Sequence, residues 1–206
     1  QKSIAYHDPQ GNWKGFQGNF KVTMEKPGEP DRISDIKLDF LEEQFILKVS
    51  KQGDHYQFSL DKDSCVVSLN GNTKPASKDV KRLRLTCDRG TMYRDYYTYL
   101  YGLPMKLLDP GTQIDPLVQR KAFHGNTYRV LRVTYEATVG KDIWYFYFNP
   151  STYALEAYQF YHDEDKNDGE YILLEAMETV QGIKMPKVRK WYYNKDDVYL
   201  GADILN

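Results

Sequence analysis

Apolar residues recur at every second position through much of the chain. Phe16, Gly18, Phe20, Val22 and Met24 share one face of a segment spanning residues 16 to 25, the period-two pattern of a half-buried strand. Pro27, Gly28 and Pro30 turn it. Ile36, Leu38 and Phe40 resume the alternation, and Tyr56, Phe58 and Leu60 repeat it beyond a turn at Gly53 and Asp54. A strand from Cys65 to Leu69 ends at the turn dipeptide Asn70-Gly71. The period then changes. Ser77 offers an N-cap, and Val80, Leu83 and Cys87 stand at helical spacing in a segment without proline until Pro104, which predicts a helix over 77 to 101 with a kink or break at Gly90. Gly102 and Pro104 end it, and Pro110, Gly111 and Pro116 make residues 103 to 117 loop-like.

From Val118 the pattern predicts a β-meander of five or six strands, with turns at His124-Gly125-Asn126, Gly140-Lys141-Asp142, Asn149 to Thr152, Asp163 to Gly169 and Gly182 to Pro186. A strand over 199 to 205 closes the sheet. The fold class is therefore mostly β with one central helical segment (α+β), a curved antiparallel sheet or half-barrel wrapped against helix 77–101. No repeat or Pro/Gly/Ser linker divides the 206 residues, which read as a single domain, 1–206.

Charge and composition narrow the partners. Lys and Arg number 28 against 29 Asp and Glu, a net charge of −1, so no positive excess is available to neutralise a nucleic-acid backbone. Mean hydropathy is −0.69 and no apolar run approaches the roughly eighteen residues of a transmembrane helix. The first residue is Gln1 rather than Met, which suggests a leader either removed by processing or left out of this sequence, with any lipid anchor expected upstream of Gln1. The two cysteines, Cys65 and Cys87, lie in different predicted elements; in an exported domain such a pair is expected as a disulfide, with two buried thiols as the alternative. That bridge would contribute about 3 kcal/mol in the chain-entropy model.

One segment breaks the alternation. Ile143-Trp144-Tyr145-Phe146-Tyr147-Phe148 is apolar or aromatic on both faces, so both faces require a cover. Three covers remain open: helix and loop on one side with tyrosine hydroxyls in solvent on the other; a cavity for an apolar ligand; or an exposed aromatic shelf for a glycan or protein. The cavity reading names Trp144, Phe146, Phe148, Tyr158 and Phe160 across a hairpin, with Leu103, Met105 and Leu107 from the segment after the helix.

Other chemistry finds little support. Asp163, Asp165, Asn167, Asp168 and Glu170 cluster, but glycine falls at the seventh place of the loop and Leu174 at the twelfth, where a calcium-binding EF-hand needs glycine sixth and glutamate twelfth. His7, His55, His124 and His162 stand apart from other ligands, so no metal site is predicted. No G-x-S-x-G or phosphate-binding glycine loop occurs. Glu136 opposite Glu156 or Glu175 is read as surface charge, not a catalytic pair. The expectation is a protein without enzymatic activity or cofactor.

The stretches YYTYLYGLPMKLLDPGT (residues 96–112), WYFYFNPSTYALEAYQFYHDEDKNDGEY and GIKMPKVRKWYYN resemble an uncharacterised family of exported Gram-negative bacterial proteins over nearly the whole chain. More distantly, the order of elements resembles the lipoprotein carriers LolA and LolB. Phe16-x-Gly18-x-Phe20-x-Val22 is similar to their first strand, and Asn149-Pro150-Ser151-Thr152 followed by Leu155 to one of their hairpins. That resemblance implies an incomplete barrel wrapping helices, and acyl chains held on its concave face. The expected location is the periplasm or the outer membrane. The expected role is binding a lipid, acyl chain or similar apolar ligand, with an aromatic module for glycan or protein as the alternative.

Overall fold

A computed structural model describes residues 1–206 as one antiparallel sheet of thirteen strands curved around a bent helical segment. The first half contributes β1 (Gln17–Lys26), β2 (Glu29–Asp39), β3 (Gln44–Lys51), β4 (Asp54–Asp61) and β5 (Ser64–Leu69). The second contributes β6 (Thr112–Ile114), β7 (Gln119–Phe123), β8 (Asn126–Tyr135), β9 (Ile143–Phe148), β10 (Leu155–Tyr161), β11 (Glu170–Val180), β12 (Ile183–Tyr193) and β13 (Tyr199–Leu205). Each half is a meander, and β1 pairs with β13 to join them, with Val22 opposite Leu205 and Met24 opposite Asp203. β6 and β7 pair with successive stretches of β8 at one end of the sheet, and β5 forms the other edge.

The alternating residues face inward. Phe20, Val22, Ile36, Leu38, Phe45, Leu47, Phe58 and Leu60 are buried on the concave side, where Tyr93, Tyr97, Leu100 and Tyr101 of the helical segment meet them in one core. Burial at roughly 25 cal/mol per Å² of apolar surface is what holds helix to sheet. Cys65 and Cys87 form the disulfide, tying edge strand β5 to the start of the long helix.

The helical segment bends, but not at Gly90. α2 (Ser77–Leu83) stops where Arg84 takes a left-handed conformation, φ 53°. α3 (Cys87–Gly102) restarts with Thr86 as N-cap, its side chain accepting from the Arg89 amide at 3.3 Å. The break thus sits at residues 84–86, where the hydroxyl of Thr86 satisfies an N–H that the new helix leaves open. Gly90 lies inside α3 for a packing reason: a Cβ there would come within 3.2 Å of the Phe58 ring. Ser77 is likewise the first residue of α2 rather than its cap, which is Ala76.

Several short elements have no counterpart in the periodicity, among them strand β6, which lies in the stretch 103–117 expected to be loop and pairs there with β8. α1 (Lys2–His7) and a 3₁₀ turn at Asn12–Gly15 precede the first strand, and another 3₁₀ turn, Met105–Leu108, follows α3. β10 pairs with β11 only from Ala157 to Phe160, although β11 runs on to Val180 against β12. His7 of α1 binds across this wedge, its Nδ1 at 2.6 Å from the Lys184 carbonyl and its Nε2 accepting the Leu155 amide at 3.0 Å. Asp8 caps the following turn by accepting the Asn12 and Trp13 amides. Trp13 then packs on Gly102, where any side chain would run into the indole.

Candidate functional site

The doubly apolar strand β9 is covered on both sides. On the concave side Trp144, Phe146 and Phe148 belong with the main core; Trp144 lies 5.6 Å from Tyr99 of α3 and 4.9 Å from Phe160 between ring centres. On the convex side Tyr145 and Tyr147 join Tyr128, Val130 and Ala157 in a second, smaller core. The β7–β8 hairpin closes over it, laying Phe123 on Tyr147 at 4.5 Å. Convex tyrosines find polar partners: Tyr147 donates to Gln159 at 2.7 Å, and Tyr145 donates to Glu164, which also binds Arg132. Arg132 and Tyr145 hold the Glu164 carboxyl below its ordinary range despite its partial burial.

Of the residues named from sequence, Phe146 and Tyr158 are sealed in the interior, Leu103 and Met105 are buried beside them, and Trp144 and Phe160 are half-buried. Phe148 and Leu107 instead reach the wall of a groove of about 240 Å³. Its floor is Phe148 of β9 and Leu131 of β8, and its sides are Ile4 of α1 and the run Pro104 to Leu108. Ile114 and Val118, together with Leu108, are exposed apolar residues on its lip. Two cations at the mouth lie over one ring: Lys2 Nζ is 4.8 Å and the Arg129 guanidinium 5.5 Å from the centre of Tyr153. Lys2 also donates to the Tyr153 hydroxyl at 3.2 Å, and the two cations keep that phenol more acidic than usual.

The groove gathers residues from the N-terminal helix and from separate stretches between residues 104 and 153, which is why alternation did not reveal them. The apolar pair Leu117-Val118 beside Pro116, in a stretch too broken for a strand, was the available signal. Α polar cluster was also hidden in the interior. Arg189 is wholly buried, donates to the Pro186 carbonyl at 3.0 Å and to the Leu100 carbonyl at 3.3 Å, and lies 3.9 Å over the Tyr101 ring. Its Nε and the hydroxyls of Tyr101 and Tyr158 bond to no protein group. Burial pushes the Tyr158 phenol up to about 12.

A half-barrel of antiparallel strands around a helix places the chain in the LolA-like fold class. The LolA superfamily protein NE2245 from Nitrosomonas europaea superposes with a TM-score of 0.55 at 13% identity, over 100% of this chain and 88% of that one. The chain belongs to DUF6503, a family of unknown function, whose model matches residues 1–205. Two further structures are similar at 10% identity and a TM-score of 0.49. One is a putative outer membrane lipoprotein-sorting protein domain from Vibrio parahaemolyticus, over 100% of this chain and 87% of that one; the other is a DUF1329 family protein from Desulfovibrio piger, over 92% and 82%. No curated protein matches the chain in sequence.

Proposed function

We propose that the protein is a non-enzymatic binding protein of an exported compartment, and that it holds the apolar chain of an acidic amphiphile in the groove between α1, the Pro104–Leu108 run and β8–β9. The observation that carries this reading is the pairing of an apolar trough with two cations at its mouth. Leu108, Ile114 and Val118 remain exposed beside the buried Leu107 and Phe148, an arrangement that leaves apolar surface in water unless something covers it. Lys2 and Arg129 stand where an anionic head group would meet them. At about 240 Å³ the groove falls below the roughly 300–1,000 Å³ of pockets that enclose whole ligands, so it accommodates one chain or chain end with the head in solvent. Phe148 and Leu107 are the contacting members of the aromatic and apolar set; Trp144, Phe146, Tyr158, Phe160, Leu103 and Met105 form the packed wall behind them.

The disulfide supports an oxidising compartment, the periplasm or the outer-membrane surface, because such bridges persist there and are rare in the cytosol. The shared fold with a LolA superfamily protein supports a carrier. A fluorescent fatty acid should bind the purified protein and be displaced by unlabelled fatty acid, and Val118→Asp should weaken binding about tenfold or more by placing a carboxylate on the apolar lip. Absence of binding, together with native mass spectra free of co-purifying amphiphile, would defeat the reading.

A further inference from the structure

A second pocket, of about 260 Å³, lies toward the opposite end of the concave face. Along β10, Leu155 stands opposite Phe148 of the groove, whereas Phe160 stands opposite Glu170, which lines this pocket. Its walls are Tyr96 of α3, Trp191 of β12 and Met24 of β1, and its floor is Asp203 of β13. Gly201 lets β13 run close against β1 at the pocket's edge: a side chain there would collide with the Glu25 carbonyl.

Asp203 is only 7% exposed. Its Oδ2 accepts from Trp191 Nε1 at 3.2 Å and from the Tyr96 hydroxyl at 3.4 Å. No protein group donates to Oδ1, and that atom is not among the sealed, unpartnered atoms of the interior, which are Ser3 Oγ, the Tyr101 and Tyr158 hydroxyls and Arg189 Nε. Oδ1 is therefore the acceptor presented to the pocket, and its occupant must donate.

Charge selects among donors. Burial pushes the Asp203 carboxyl up, and the charges of the wholly buried Arg189 and the half-buried Arg32 oppose that, so two guanidiniums attend one carboxylate. An entering cation would face both guanidiniums, and an entering anion would meet the carboxylate first; each would also lose its hydration. An uncharged hydroxyl meets neither cost. The indole of Trp191, the Tyr96 ring, Met24 and Leu200 offer an apolar surface, while Lys26 and Glu170 at the rim provide polar partners for further hydroxyls. A ring with hydroxyls on its edge and C–H groups on its face fits both sets of contacts, whereas a fused-ring alcohol would exceed the volume and leave the rim unused.

We propose that this pocket binds a hexose unit of an uncharged glycan, with one ring hydroxyl donating to Asp203 Oδ1 and the C–H face lying on Trp191. The test is saturation-transfer NMR on the intact protein with neutral oligosaccharides (glucose, galactose and N-acetylglucosamine trimers), with phosphocholine and benzoate as charged controls. At least one oligosaccharide should receive saturation and the controls should not. Met24→Trp fills the pocket without touching the bonds of Asp203 and should abolish the signal; Asp203→Asn, a neutral acceptor in place of a charged one, should weaken affinity about tenfold. Excess fatty acid should not displace the sugar. The proposal is overturned if no oligosaccharide binds, if binding persists unchanged in Met24→Trp, if fatty acid competes, or if a charged control binds in place of the sugars. Should Asp203→Asn fail to fold, Met24→Trp still decides the matter.

Discussion

At the scale of single residues, the buried His7 ties α1 to two strands of the sheet. It accepts from Leu155 through Nε2, so Nδ1 must hold the proton and donate to the Lys184 carbonyl, and the ring must be neutral. Burial lowers its pKa, with Lys184 and Arg189 nearby adding to the effect and the bond to the Lys184 carbonyl opposing it. The unfolded chain then takes up a proton at a pH where the folded chain does not. Stability from this group is complete above about pH 6.5 and is lost as pH falls below that value. Thermal unfolding of the wild type should show such a decline between about pH 7 and 5, and His7→Gln should be less stable at neutral pH but flatter across that window. An equal slope in both proteins would remove His7 as its source. Gly102→Ala should cost about 1–3 kcal/mol in chemical denaturation, because the added methyl pushes Trp13 away from α3.

Among the elements, the disulfide and the helix bend belong together. The bridge holds the first residue of α3 to β5, the outermost strand of the first meander, where only β4 pairs with it. Replacing both cysteines by serine should lower stability by about 3 kcal/mol, read from the denaturation midpoint at constant slope. Alternation made most strands legible, but β3 went unread although its buried Phe45, Leu47 and Val49 alternate as well. β1, β2 and β4 follow the period-two rule because one face of each is buried and the other wet. β9 broke the rule visibly, and a second core on the convex side explains why. The helix break was misplaced because glycine's low propensity pointed to Gly90, while the structure keeps that glycine for contact with Phe58 and bends at Arg84. α1, six residues long, has no side-chain cap and depends on tertiary contacts that no local pattern encodes.

For the whole molecule, both proposed sites arise from register rather than from motif. Lys2, Leu107, Val118, Arg129 and Phe148 are brought together because α1 and the Pro104–Leu108 run pack against one end of β8 and β9. Asp203 meets Trp191 and Tyr96 because β13 lies between β12 and β1 beneath α3. The residues Phe148 and Leu107 could be named in advance from their apolar character, but their cationic neighbours could not, since a surface lysine or arginine looks alike everywhere in a sequence of balanced charge. The meeting of β1 and β13 also predicts cooperativity. The intact protein should unfold in a single transition by circular dichroism, and deleting residues 199–206, which removes a strand from the middle of the sheet and not from an edge, should abolish it. Survival of a sharp transition would mean that each meander is stable alone.

The same pairing sets a timetable for synthesis. The chain's first strand waits for its last, because the partner of Val22 is Leu205 and almost everything else must be made in between. At roughly 5–20 residues per second, β1 spends on the order of ten to forty seconds with a bare edge after it leaves the ribosome. An unpaired edge invites pairing with other chains. A nascent chain of this topology would thus benefit from being held unfolded until the final strand is delivered, so that the gap in the middle of the sheet closes in one event.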